Sequence, residues 1–471
     1  MRDQNNYNLY NKKLPPQLLS QAEALEDLKY YEYVLKTCSI SFATQKWKLK
    51  TKIEYNRIKK NLLSKKTIST IDFFNLLTNL VTGIKDFHSF LFLEDNKTYT
   101  NHFFGNLFYG LISEELFIKN KNVFICQSNN SIKIRGQLLV NTFLYNQHIH
   151  YFVPSICNNK IFYRMIILKK TDKSFVYYYR NKYAFHFSTY HISSNSFVEL
   201  YNLFTNKNID YWTLPDFFTP KDQYYDQYNY LQSLANNPKK VLIIDNRLNR
   251  GGSPYELNKL LFQLFGLDIN DLNNYSRNSK KILNFLDGTV IISKLFAEKN
   301  IKDLTSVNDN WPQKEKILNI WNKIVKDYGA NKVSIKHENK KFTPQWKYNK
   351  EYSKKIKYSG YIILIVSKET CSLGELLYDL IYKVYGYHKI ILIGSNTGGA
   401  VSFADSKDYY LKNSGIGLHL SSTKDADLYQ SRYYLREIEG KGFFPDFWVQ
   451  NDEELKMTLN FLTKEILNEH L

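Results

Sequence analysis

The spacing of apolar and polar positions changes character twice along the chain. From about residue 17 to 93 apolar residues recur at helical intervals. Leu25, Leu28, Tyr31 and Leu35 follow a Pro15-Pro16 start signal, and Ile71, Phe74, Leu77, Leu80 and Val81 line one face of a second amphipathic stretch. That stretch runs out at Lys85-Asp86-Phe87-His88-Ser89. From about 105 to 200 the runs become short and rich in Val, Ile, Phe, Tyr and Thr, as at 123–126, 132–134 and 162–168, and Asn-Asn, Asn-Lys and Asp-Lys turns separate them. This pattern predicts a β-rich module.

From about 208 onward, uniformly apolar runs alternate with helical stretches. The segments 240–245 (K-V-L-I-I-D), 361–366 (Y-I-I-L-I-V) and 389–394 (K-I-I-L-I-G) show no in–out alternation. Strands buried on both faces of a parallel sheet have this appearance, because helices cover both sides. The stretch from 255 to about 355 is too long for a simple crossover and reads as a helical insertion. The expected fold class is therefore α/β. A largely parallel core occupies 208–471, an N-terminal helical domain carrying His88 occupies 1–104, and the β-rich module occupies 105–207.

Composition narrows the function classes. With 43% apolar and 23% charged residues in 471, the chain is expected to be globular and long enough for several packed units. No apolar run approaches the roughly 18 residues that cross a bilayer. The opening Met-Arg-Asp-Gln-Asn-Asn lacks the apolar segment of a secretory signal, which fits either a cytoplasmic chain or the processed form of an exported one. The net charge of +19 comes mostly from scattered Lys, such as Lys59, Lys60, Lys65 and Lys66, in a chain crowded with Asn, Ile, Tyr and Phe. Nucleic-acid recognition favours Arg clusters interleaved with stacking aromatics, so a plain basic surface is expected and no nucleic-acid partner. Cys38, Cys126, Cys157 and Cys371 are widely spaced and have no His at ligand spacing, so neither a metal site nor a disulfide framework is expected. Cys371 reads as a small packing residue.

Three segments fall at the C-terminal ends of expected parallel strands, where open α/β sheets bind ligands. The first, Asp245-Asn246-Arg247-Leu248-Asn249-Arg250-Gly251-Gly252-Ser253, ends in two glycines that let the backbone approach a ligand with its N–H groups outward. The second, Thr370-Cys371-Ser372-Leu373-Gly374-Glu375, places a serine at the start of a helix. By default such a serine is an N-cap. The same position would also suit a nucleophile, because the Leu373 amide and the helix dipole face the place where an oxyanion would develop. The third, Gly394-Ser395-Asn396-Thr397-Gly398-Gly399-Ala400, is a glycine-rich turn without the Gly-Lys-Ser/Thr of a nucleotide loop.

The ordered set D-x-R-x-N-x-G-G, T-x-S-x-x-E, G-x-x-T-G-G and Glu439-Gly440-Lys441-Gly442-Phe443-Phe444-Pro445-Asp446 resembles the tail-specific (C-terminal processing)/tricorn-core serine peptidases. The segment from Asp210 to Phe218 resembles the opening strand of that family's catalytic core, and 80–89 resembles its histidine segment. The resemblance implies a crotonase/ClpP-like core and peptide-bond hydrolysis through an acyl-enzyme, with no cofactor and with a protein or peptide as substrate. Ser372 falls on the nucleophile, and Leu373, Gly251 and Gly252 fall on the oxyanion-hole amides. Thr397, Gly398, Gly399 and Glu375 fall on supporting positions of the matching motifs.

The Ser–Lys branch of the family carries its lysine where this chain has Ala400. The resemblance therefore points to the histidine-dependent, tricorn-like branch, with His88 as general base and Glu439 as its carboxylate. Here Phe87 replaces the relay serine of that branch, which leaves Asp86 or Glu439 itself to orient the ring. His419, in an expected strand at 417–421, is assigned a structural role. The family resemblance also favours export. Two other readings share the fold: a catalytically lapsed binding protein for an apolar ligand or peptide, and acyl-CoA chemistry, which would have no use for a reactive serine.

Overall fold

The computed structural model describes residues 9–44, 48–94, 98–104, 107–139, 146–180, 182–190, 192, 196–214, 216–217, 239–252, 257, 260, 287–306, 314–339, 358–385, 389–425 and 439–468. Much of the expected 255–355 insertion lies outside them, as do Pro215, Phe218 and Ser253. The chain forms two compact units. One comprises Met1–Asn106, Phe285–Lys340 and Ser402–Asp427, and the other Leu107–Asn284, Lys341–Val401 and Leu428–Leu471.

In the first unit the helix Gln21–Cys38 starts later than the two prolines suggest. Its N-terminus is a capping box: the Ser20 side chain accepts from the Glu23 amide, and the Glu23 carboxylate accepts from the Ser20 amide. Its buried face (Ala24, Leu28, Tyr31, Val34, Leu35, Cys38) packs in a core with Phe73, Phe74 and Leu77 of the helix Thr70–Thr78. Ile71, expected on that face, is instead exposed.

Helical structure also ends sooner than the spacing predicts. Asp86–Glu94 is a strand and Tyr99–Phe104 its antiparallel partner. The run Phe90-Leu91-Phe92-Leu93 is apolar at every position, so its period cannot be read. Its aromatic content favours a pleated surface. The strand belongs to a six-stranded sheet in the order Val333–Asn339, Asp287–Ser293, Gly417–Asp425, Asp86–Glu94, Tyr99–Phe104, with Phe403–Tyr410 also paired to Gly417–Asp425. Its pairing with Tyr99–Phe104 slips between Asp86 and Phe90, which leaves Phe87, His88 and Ser89 on a bulge.

The second unit holds two sheets. A nine-stranded, mainly antiparallel sheet spans Tyr109–Ser188 around a core of Phe117, Phe124, Phe152 and Phe185. The other sheet has five strands, all parallel, in the order Ile209–Thr213, Val241–Asp245, Tyr361–Val366, Ile390–Gly394, Phe447–Trp448. Val241–Asp245 is buried at every position and Tyr361–Val366 at all but its first, as the absence of alternation predicts. The helices Ser196–Phe204 and Asp452–Leu467 pack Leu200, Leu455, Leu459 and Leu462 on one face of this sheet. The strand ends at Asp245, Val366 and Gly394 lie side by side and open into the three glycine-bearing loops.

Candidate active site

The loop after Val241–Asp245 is tied to the loop after Tyr361–Val366 along its length. Ser367 Oγ donates to the Arg247 carbonyl at 2.6 Å, Thr370 Oγ1 to the Asn246 carbonyl at 2.8 Å and the Cys371 amide to the Asn249 carbonyl at 3.0 Å. Asn246 Nδ2 reaches the Gly374 carbonyl at 2.9 Å. An ion pair underlies them: Arg247 grips Asp245 through Nε at 2.8 Å and Nη2 at 2.6 Å, with both side chains fully buried. Its Nη1 reaches Asp452 at 3.0 Å, and the guanidinium lies 4.2 Å from the Phe197 ring centroid. A forked, stacked arginine of this kind sets the base of a loop more firmly than a lysine could.

These ties press Gly251 onto Ser372. A β-carbon on Gly251 would lie 2.7 Å from Ser372 Cβ and 2.9 Å from the Leu373 amide nitrogen, so only glycine fits. Ser372 has φ +53°, in the left-handed region, where a non-glycine residue costs about 1–3 kcal/mol. An N-cap residue takes extended backbone, so Ser372 does not have the geometry of an ordinary cap. The helix Leu373–Tyr385 begins directly after it.

The neighbouring amides fall into two groups. The Gly251 N–H is committed to Asn249 Oδ1 at 2.8 Å. Phe217 N–H donates to the Gly251 carbonyl at 2.7 Å. Because a trans peptide sets its carbonyl and N–H on opposite sides, the Gly252 N–H points away from Phe217. Leu373, in the first turn of its helix, donates to no acceptor among the described residues.

Glu375 is the buried centre of the second tier. It accepts the Ser372 amide at 3.2 Å, Gly399 at 2.8 Å, Ala400 at 2.9 Å and the Thr397 hydroxyl. Burial pushes its carboxyl up, while these hydrogen bonds and the nearby Lys368 pull it down. The turn 397–401 interlocks with 439–443. Thr397 Oγ1 accepts the Phe443 amide at 2.7 Å, Gly440 N–H reaches the Gly399 carbonyl at 2.7 Å and Val401 N–H reaches Glu439 Oε2 at 3.2 Å. A β-carbon on Gly398 would strike Cys371 Sγ at 2.1 Å, which accounts for the Cys371 packing role. Burial pushes the Cys371 thiol well up, away from a thiolate.

Several of these residues carry no motif. Asn396 Oδ1 accepts Gly110 N–H at 2.8 Å, and its Nδ2 donates to the Phe108 carbonyl at 2.9 Å, joining the nine-stranded sheet to the glycine-rich turn. Lys368, two residues past its strand, reaches the carbonyls of Thr397 and Gly398. Its only sequence signal is a charge two residues after a strand buried at all but its first position.

Asp86 and His88 belong to the other unit. Asp86 accepts the His88 amide at 3.0 Å, Ser421 Oγ at 3.0 Å and Ser89 Oγ at 2.6 Å, fixing the bulge from beneath. Burial pushes the Asp86 carboxyl up. Burial, assisted by His419, holds His88 down to about 4, and Asp405 opposes the shift. His88 is therefore neutral over the physiological range. His419 is in the expected strand, paired with Asp408 at 2.6 Å and stacked on Phe90 at 4.6 Å.

The sequence model of peptidase family S41 matches residues 208–449, more than half of the chain, including the three loops that meet around Ser372. The chain belongs to peptidase family S41. It is accordingly a hydrolase of the serine-peptidase class, acting on peptides or proteins. This S41 peptidase also has matches of low identity among solved structures. Mature CPAF complexed with lactacystin is 13% identical at TM-score 0.46, with 95% of this chain and 99% of that one covered. A lipoprotein from Streptococcus agalactiae is 13% identical at TM-score 0.36, covering 97% and 99%. The photosystem II D1 C-terminal processing protease is 10% identical at TM-score 0.35, covering 94% and 97%. All three scores fall below 0.5, and the family assignment stands on the sequence match alone. A comparison with curated proteins found no match. No helix among the described residues is long and apolar enough to cross a membrane.

Proposed function

We propose that this S41 peptidase cleaves peptide bonds through an acyl-enzyme on Ser372, carried on a crotonase-like core. The observation that carries the reading is the left-handed backbone of Ser372, held against Gly251 with the uncommitted Leu373 amide beside it. Strain of this kind persists only where the surroundings impose it, and it lifts the side chain out of the cap position. Leu373 and Gly252 supply the oxyanion donors, while Gly251, whose amide is taken by Asn249, serves by its lack of a side chain.

Ala400 at the lysine position of the Ser–Lys branch supports the histidine-dependent mechanism. In that mechanism His88 removes the serine proton and returns it to the leaving amine, with Glu439 orienting the imidazole. The neutral state of His88 suits that role. Glu375 and Thr397–Gly399 hold the serine turn, and Asp86 holds the bulge under His88. Phe87 at the relay position favours the second reading, a lapsed relative that binds an apolar ligand or peptide.

Labelling with a fluorophosphonate from about pH 6 to about pH 9 separates the two. The peptidase reading expects wild type to be labelled, Ser372→Ala to be silent and His88→Ala to be slowed by about 100-fold or more. Equal labelling of wild type and Ser372→Ala would sink it.

A further inference from the structure

The ε-ammonium of Lys368 lies against three backbone carbonyls: Gly398 at 3.0 Å, Thr397 at 3.1 Å and Gly440 at 3.4 Å. An ammonium has three donors and no acceptor, enough for one to each of these oxygens. The first two carbonyls belong to the glycine-rich turn, and the third to the turn that follows Glu439. The amides of the glycine-rich turn, Gly399 and Ala400, face the opposite way, onto the Glu375 carboxylate. The turn is thus held between a cation on its carbonyl side and an anion on its amide side. The same carboxylate holds the Ser372 amide at 3.2 Å.

We propose that Lys368 is a positioning residue of the peptidase: its ammonium clamps the 397–400 turn to the 440 turn, and through Glu375 it keeps Ser372 in its left-handed conformation. The inference rests on the reading of Ser372 as nucleophile. It assigns a lysine to the serine even though the position of the family's lysine is Ala400. Lys368 acts through the backbone and takes no proton from the substrate.

Burial lowers Lys368 to about 8, against the opposing influence of Cys371, Glu375 and Glu369. The other groups on the elements packed against it are Tyr109, whose ring centroid is 5.5 Å away, Arg250, paired with Glu369, and Glu439 and Lys441, which flank Gly440 in the chain. Burial raises Tyr109 and Cys371, so both stay neutral through this range. The clamp therefore opens as pH rises through about 8, giving the wild type an alkaline limb there.

The experiment compares wild type, Lys368→Met and Lys368→Arg in full-length protein by two readouts. One is the fluorophosphonate acylation rate against pH. The other is amide hydrogen exchange of 397–400 and 440–443, corrected for the intrinsic rate. Lys368→Met is expected to acylate about tenfold to a hundredfold more slowly, with faster exchange in both turns. Lys368→Arg keeps its charge at every pH, so it should restore the rate and move the alkaline limb up by more than about one unit. A Lys368→Met rate equal to wild type, or an alkaline limb unmoved in Lys368→Arg, overturns the proposal. If wild type is not labelled at Ser372, the nucleophile reading has failed and exchange alone decides. Unchanged protection in Lys368→Met then sinks the clamp, and lost protection in both turns upholds it.

Discussion

Gly251 and Ser372 touch: a β-carbon added to the glycine would stand 2.7 Å from the serine Cβ and 3.1 Å from its Oγ. Gly251 also has φ +92°, which L side chains rarely adopt. Gly251→Ala is expected to cost about 1–3 kcal/mol of stability and to abolish acylation of Ser372. Thermal melting together with fluorophosphonate labelling checks both. A stable, fully labelled variant would show that the two loops do not need this contact.

The strain at Ser372 gives a prediction of opposite sign. Ser372→Gly removes the proposed nucleophile and also the β-carbon that resists φ +53°. It should be inactive yet more stable than wild type by about 1 kcal/mol. Ser372→Ala keeps the β-carbon and gains nothing from this source. Comparison of the two in urea isolates the backbone contribution, and equal midpoints would remove the strain argument.

Thr397 works in two directions, donating to Glu375 and accepting the Phe443 amide at 2.7 Å. Thr397→Val keeps the shape but takes this acceptor from the Phe443 amide and one of four donors from Glu375, which should lower stability by about 1–3 kcal/mol and slow acylation as well. Thr397→Ser retains the hydroxyl and should recover most of both. Activity unaffected in Thr397→Val would separate the second tier from the serine.

His88 binds its proton less readily in the folded chain (about 4) than its ordinary value of 6.5. Folding is therefore favoured above pH 6.5, and that advantage drains away as pH falls from 6.5 toward 4. The full effect is at most roughly 3 kcal/mol. Stability measured against pH should fall less steeply over this window in His88→Gln than in wild type. If His88 is also the base, the acid limb of kcat/KM lies near 4 rather than near 6.5. Superimposable stability profiles of wild type and variant would disprove the depressed imidazole.

The parallel sheet was legible because burial on both faces leaves its mark on every residue of a strand, as in 241–245 and 361–366. The glycine turns were legible for a similar reason: a missing side chain is required where the backbone is crowded, as at Gly251 and Gly398. The strand carrying His88 was not. Its periodicity is hidden by four successive apolar residues and a bulge, and its sheet partner is remote. Ser89 and Ser421, which share a hydrogen bond at 3.2 Å, are 332 positions apart. Lys368 was missed because its three partners are carbonyls, which every residue has, so no side-chain pattern announces them. The commitment of the Gly251 amide to Asn249 was equally silent, since it depends on one side-chain rotamer.

The six-stranded sheet draws its strands from three stretches of chain that end at residues 106, 340 and 427. During synthesis the apolar run at 90–93 leaves the ribosome long before its neighbour 417–425 exists. That first stretch must wait, exposed, while more than three hundred further residues are made, and late closure of this kind is slow and prone to aggregation. The serine loop waits as well, because the turn that begins at Glu439 comes later still. A nascent chain therefore carries Ser372 without its supports until the turn that begins at Glu439 has been made.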